Sequence, residues 1–435
     1  MHSSGLIEPL RTRVFRRLAA TYAINEFGDW MGIVALSVLI YEQTDSALAT
    51  TGLFLGTRFL PALLAPILVT RSERSPPRFA LPVIYCGEAV AFGALALLAN
   101  DFSLAAVIVV ATIDGALALV GRALTRAVVA VHLESSGQLR AGNALLNIAF
   151  TGGAAVGPGV AGLVVAGFGA QAALLLNAVS FYLIAWILLT AGPLPHAEPE
   201  PGRMRDRVRA GVAYLREKVL LRRLLIAQGM AFVFFAAVVP IEVFYAKETL
   251  GASDSGYGLL LASWGVGMVL GSFLFAAIRR LPLAYLLLFS TVAVGVGYLG
   301  LAVAPTLAVA CAASILGGGG NGVQWVSAIS AVQELTAEGM QARVMAVLES
   351  IGAAMPGVGF LVGGLIATVA DPRVAFLVAG IGVLVIVLLA IPFLGAKWQE
   401  SPASDSSQSL DGDEDIVLEL IPGSSPVRSD PEVQR

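Results

Sequence analysis

The sequence predicts an all-α membrane protein, with twelve transmembrane helices arranged as two pseudo-symmetric six-helix bundles. Three observations carry this reading. Of the 435 residues, 57% are hydrophobic and 13% charged, with a mean hydropathy of +0.82; a soluble chain of this length carries about a quarter charged residues. Twelve apolar runs are each long enough to cross a bilayer, which takes about 20 residues. Short motifs also recur between the two halves of the chain at nearly constant offset.

The elements follow in order. Arg11, Arg13, Arg16 and Arg17 precede the run 18–41. This start mimics a signal peptide, but the run is roughly twice a signal core in length and contains Asn25, Glu26 and Asp29, so it reads as helix one. Helices two to six are expected at 47–70, 79–99, 103–125, 140–167 and 170–192, completing an N-terminal bundle over 18–192 behind a cytoplasmic tail, 1–17. The segment 193–219 is polar and opens with Pro193, Pro195, Pro199 and Pro201. Within it Met204, Val208, Val212, Leu215 and Val219 form a helical stripe beside five arginines, which reads as an amphipathic helix on the anionic cytoplasmic surface. Helices seven to twelve are expected at 220–246, 255–278, 281–303, 306–333, 343–370 and 373–396, forming the C-terminal bundle over 220–396. Residues 397–435 are acidic and rich in Ser and Pro, a composition of disorder.

The basic residues orient this map. With both termini in the cytoplasm, 24 of the 27 Lys and Arg residues count as cytoplasmic, among them Arg122 in the last turn of helix four and Arg126 just after it. Lys247 and Arg373 fall outside and Arg58 sits within helix two. That asymmetry is the positive-inside pattern of an even number of spans, and it predicts a multi-pass protein of the inner or plasma membrane.

The repeat shows in three places. Phe15-Arg-Arg-Leu18 matches Leu221-Arg-Arg-Leu224, and Thr44-Asp-Ser46 matches Ser253-Asp-Ser255. Gly153-Ala-Ala-Val-Gly157-Pro158 of helix five matches Gly352-Ala-Ala-Met-Pro356 of helix eleven, one glycine shorter. Parallel six-helix halves with a site between them are a transporter architecture.

Charged groups at mid-membrane cost roughly 2.5–3.5 kcal/mol each on insertion scales and usually face a cavity or a partner. Counted at about 1.5 Å per residue, Asp29 of helix one, Arg58 of helix two, Glu88 of helix three and Asp114 of helix four reach one level, with Glu26 three residues before Asp29. One reading is a proton-responsive cavity; the other is a structural Asp29–Arg58 pair with Glu88 inert. The second half is neutral at this level apart from Glu242 towards the outer end of helix seven and Glu349 near the inner end of helix eleven. Helix ten carries Asn321, Gln324 and Trp325 after the Gly317–Gly320 run, which suits either contact with an amphipathic ligand or bonding between helices. Pro158 and Pro356 each remove a backbone hydrogen bond and permit a bend.

These motifs together resemble the major facilitator superfamily over roughly residues 10–397, and its drug:proton antiporter branch with macrolide-efflux and enterobactin-exporter proteins in particular. The likeness is carried by Phe15-Arg-Arg-Leu18, Gly28-Asp29-Trp30, Arg58-Phe-Leu-Pro61, Ala141-Gly-Asn143 and the Gly256–Gly271 run. Gly153, Gly157 and Pro158 are similar to the antiporter motif of helix five. Glu73 and Arg74 stand where the family's gating loop has Asp-Arg, and Val69 replaces its glycine. The resemblance implies a rocker-switch exporter driven by the proton gradient, with its cavity between the two halves; the mid-membrane charges Glu26, Asp29, Arg58, Glu88 and Asp114 are the candidates for coupling, and Trp30, Asn321, Gln324 and Trp325 the candidates for substrate contact.

The expected partners are a small amphipathic compound, protons and membrane lipids, with the chain acting as a monomer. Uptake or facilitated diffusion by the same fold, and a non-transporting sensor or partner role, remain open beside export. The net charge of -3 argues against nucleic acid. No nucleophile elbow or metal-ligand spacing suggests an enzyme, a cofactor or a metal. Cys86 and Cys311 lie in separate apolar runs and read as small buried hydrophobes.

Overall fold

The computed structural model describes residues 7–72, 75–134, 136–195, 204–278 and 281–391. Helix one spans Arg13–Thr44; the Thr12 side chain accepts a hydrogen bond from the Phe15 N–H at its start, and Asp45 ends it in the left-handed region at φ 47°. Helix two runs Ala47–Phe54, widens into a π turn over Leu55–Phe59 and resumes over Leu60–Ser72. Helix three is Pro77–Leu98 and helix four Leu104–Glu134. Helix four outruns the expected end near 125, because Ala127–Val131 continues the apolar run past Arg126.

Helices five and six form one run, Leu139–Leu189, divided at Gly169, whose φ of 81° and ψ of 165° turn the chain back. Helix seven is interrupted in the opposite sense to helix two. It runs regularly over Val219–Val238, tightens into a 3-10 turn at Val239–Ile241 around Pro240, and ends in a π turn over Tyr245–Thr249. Helices eight to twelve are Asp254–Ala277, Leu283–Val303, Leu307–Glu334, Gln341–Val369 and Pro372–Ala390. Ten of these segments pass a composition test for membrane spans. One of the ten, Ala141–Leu189, holds two crossings, and helix ten falls outside the test because glycines and amides fill its middle. Twelve crossings result.

The linker helix Met204–Glu217 forms as expected within the linker and packs in part on the protein itself. Val208 and Leu215 pack with Val332, Val344, Val347 and Leu348 of helices ten and eleven. Its Gly211 lies against the Arg343 backbone, and the Tyr214 hydroxyl accepts from the Ala337 N–H at 3.3 Å. Val208 and Leu215 of the stripe therefore bury against protein, while Val212 and Val219 stay exposed.

Two seams join the six-helix halves. Helices two and eleven touch from Thr51 against Gly364 to Phe59 against Gly357. Helices five and eight touch from Gly162 against Gly258 to Ala154 against Gly265. These glycine contacts span eight residues of helix eleven and eight of helix eight, about 12 Å of each. Both seams lie at the end of the molecule that carries Thr44, Thr249 and Asp254. Tyr41 meets Phe244 edge-on at 4.9 Å there, and Phe54 meets Phe360 at 5.6 Å. Between helices five and eight backbone meets backbone, so glycine is required there, whereas Gly364 and Gly357 of helix eleven make room for the Thr51 and Phe59 side chains of helix two.

Candidate functional site

Helix four organises the polar centre of the first half. Its Gly115 sits directly on the Thr57 backbone of helix two, within that helix's π turn. This close approach puts Asp114 and Arg58, the chain neighbours of the touching residues, at one cavity of about 40 Å³. Helix one completes it with Asp29, and the next turns of helix four add Arg122. Ile33, Leu36, Leu53, Phe54 and Phe92 form the apolar part of the wall. Two carboxylates and two guanidinium groups thus share a small, mostly apolar chamber.

The pairing inside it differs from the sequence expectation. Asp29 forms its ion pair with Arg122, not with Arg58. Arg58 is exposed along the cavity, while Asp29 and Arg122 are partly buried at 14% and 26% side-chain exposure. Arg122 was missed because helix four was ended too soon, which left this arginine at a membrane surface. The apolar residues after Arg126 are the signal that places it inside. One turn further, Arg126 donates to the Tyr22 hydroxyl at 2.9 Å, so helices one and four are joined by two successive polar rungs.

Glu88 and Glu26 stand behind this chamber. Glu88 is fully buried, with neither carboxyl oxygen hydrogen-bonded, facing Gly121 of helix four. It lies within electrostatic reach of Asp114, Asp29 and Arg122 but does not line the cavity. Glu26 is 4% exposed, with one oxygen unpartnered, and its backbone packs on Gly153. The helix-five motif thus has a packing role: Gly153 seats Glu26, Gly157 seats the half-buried Trp30, and the Pro158 carbonyl meets Gly258 across the seam.

The residues of helix ten do not converge on this chamber. Gln324 is buried and donates to the Gln228 side chain at 3.4 Å, the bond between helices that was its second reading. Trp325 is 44% exposed beside Phe232, and Asn321 is half-buried. Glu73 and Arg74 lie outside the described residues. Among the described residues no group of three or more His, Cys, Asp or Glu could hold a metal ion.

Comparison with known proteins bears on the fold. A family model described as a transmembrane secretion effector matches residues 4–428. No curated protein matches. Among solved structures, the nucleoside transporter NupG is similar at 13% identity, covering 88% of this chain and 100% of its own, with a TM-score of 0.72. The POT family transporter PepTSo is similar at 10% identity over 89% of this chain and 98% of that one, TM-score 0.71. A bacterial homolog of the human lysosomal transporter Spinster, in an inward-facing and occupied conformation, matches at 13% identity over 89% and 96%, TM-score 0.64. At these identities the likeness is one of fold.

Proposed function

The chain belongs to the transmembrane secretion effector family of major facilitator transporters, and from that premise we propose that it exports a small amphipathic compound in exchange for protons by alternating access. The observation that carries the reading is the chamber in which Asp29–Arg122, Arg58 and Asp114 meet an apolar wall. Apolar walls with a few polar groups suit an amphipathic ligand, and at about 40 Å³ the chamber is the closed remnant of a cavity that must widen to admit one. Two carboxylates there face two guanidinium groups, so proton binding at a carboxylate of this chamber changes the net charge that a ligand meets. Proton binding and ligand binding then oppose one another, which is the requirement of an antiporter.

The seams support a direction. On the orientation that the distribution of basic residues favours, with both chain ends in the cytoplasm, the closed end faces outward and the chamber loads from the cytoplasm. Pivoting about the seams would open the opposite side. The family description also favours secretion.

The test is transport of a fluorescent amphipathic cation by the purified protein in liposomes under an imposed pH gradient. Wild type is expected to move the dye against its gradient, and Asp29→Asn to lose that coupling while inserting normally. Undiminished pH-driven transport by Asp29→Asn removes Asp29 from the mechanism. Dye accumulation in right-side-out vesicles assigns uptake instead.

A further inference from the structure

The second half holds a polar site of its own, away from the chamber described above. Glu242 follows the 3-10 turn at Pro240 and precedes the π turn of helix seven, where the regular backbone ladder is broken. Irregular backbone inside a membrane persists where protein buries it or a cavity adjoins it, and wide turns recur at functional sites. Glu242 lines a small cavity of about 10 Å³, room for about one water molecule, with Trp264, Ser314 and Phe376 in its wall.

The polar accounting around that cavity is open on both sides. Among the described residues the Glu242 carboxylate has no hydrogen-bond or ion-pair partner. Two donors nearby are also unpartnered: the Trp264 indole N–H, on the cavity wall, and the hydroxyl of Tyr298, which is 1% exposed. The Trp264 and Tyr298 rings stack at 5.2 Å, and both Tyr298 and Tyr257 lie within electrostatic reach of Glu242. Buried polar groups are almost always paired; the half-buried Glu242 and Trp264 border the water-sized space, and the open Tyr298 hydroxyl belongs to the ring stacked on Trp264, so an acceptor and two donors stand close together without partners.

The surroundings select its ligand. The titratable groups facing Glu242 are the phenols of Tyr257 on helix eight and Tyr298 on helix nine; helices ten and twelve present Ser314 and Phe376. No charged side chain faces it among the described residues. The nearby cations are engaged: Lys247 pairs with Asp254, and Arg373 donates to the carbonyls of Ala302 and Ala304. A metal ion would need several oxygen ligands, which one carboxylate and one serine do not supply.

We propose that Glu242, with Tyr298 and Trp264, is a second proton-binding site, in the C-terminal half. The acid form lies against the mostly apolar wall of the cavity; the ionised form is met by the two donors through a water in that space. The site reaches the moving interface, because Phe244 of the same segment packs edge-on against Tyr41 of helix one. Its use in coupling rests on the proton-driven reading above, but its existence does not.

The test needs no substrate. Infrared difference spectra of the purified protein are recorded through a pH titration, following carboxyl C=O absorption. Glu242→Gln is expected to remove one protonated-carboxyl band that Asp29→Asn retains. Tyr298→Phe, which deletes only a hydroxyl, is expected to raise that band's midpoint by about one pH unit, since a hydrogen bond to a charged group favours the charged form. Retention of every band in Glu242→Gln, or an unmoved midpoint in Tyr298→Phe, overturns the proposal. A band that titrates with sodium at fixed pH also overturns it, in favour of a cation site. Loss of dye transport in the liposome assay with these bands intact would count against the exporter reading alone.

Discussion

Replacing Gly162 by alanine tests whether the seam of helices five and eight is a moving contact. The added Cβ would lie 2.7 Å from the Asp254 carbonyl oxygen and 2.9 Å from the Gly258 Cα, with the Gly258 nitrogen at 3.1 Å. All three are backbone atoms, so no side chain can swing aside. Carbon atoms rest at about 3.5–4.0 Å, so the helices must part by roughly 0.6–1 Å. Overpacking of this kind costs about 1–3 kcal/mol, which disfavours the state closed at this end by about 5- to 150-fold. The assay is maleimide modification of a single cysteine at Thr51, in a background with Cys86 and Cys311 changed to serine. Thr51 is 2% exposed and faces Gly364 on the other seam at the same end. Gly162→Ala is expected to speed its modification at least several-fold, whereas Gly167→Ala, whose Cβ meets nothing within 4 Å, leaves the rate unchanged. An unaltered rate in Gly162→Ala, or an equal rise in the control, refutes the argument.

Two further outcomes follow from contacts on the page. Arg122→Gln strips Asp29 of its partner and is expected to destabilise the protein by about 1–3 kcal/mol, below the range for fully buried pairs because both side chains are partly exposed. The double variant Asp29→Asn, Arg122→Gln should recover most of that loss in a thermal melt without recovering pH-driven transport. Tyr214→Phe removes the acceptor of the Ala337 N–H and is expected to cost about 1 kcal/mol, read as faster proteolysis in the linker; an unchanged digestion rate would show that the apolar contacts alone hold the linker helix.

Depth in the membrane was legible in the sequence, and rotation about the helix axis was not. The rise per residue is fixed, so counting inward from flanking charges placed Asp29, Arg58 and Asp114 at one level, and they share one chamber. The same counting gave Glu88 its depth but not its place behind helix four, and gave Gln324 its depth but not its turn towards Gln228. Rotation depends on which helices are neighbours, a long-range fact. Arg122 was lost to a different error, the end of a helix longer than the membrane requires. The linker stripe could be read as amphipathic, but the pattern alone does not say whether lipid or protein covers it. Neither π turn left a mark in composition, since each is set by packing.

The wide turn at Leu55–Phe59 holds one residue more than an α-helix would in the same height. The turn thus absorbs one residue within its own height, and Leu60–Ser72 keeps the face it would present on a regular helix. Removing one residue from the turn would let the helix close into regular register with that remainder left in place, so the exposed Leu63, Leu64 and Ile67 would stay exposed. The change would fall on Arg58, which the widened backbone now holds at the chamber. A one-codon deletion here would act on that single charge, with the rest of the helix untouched.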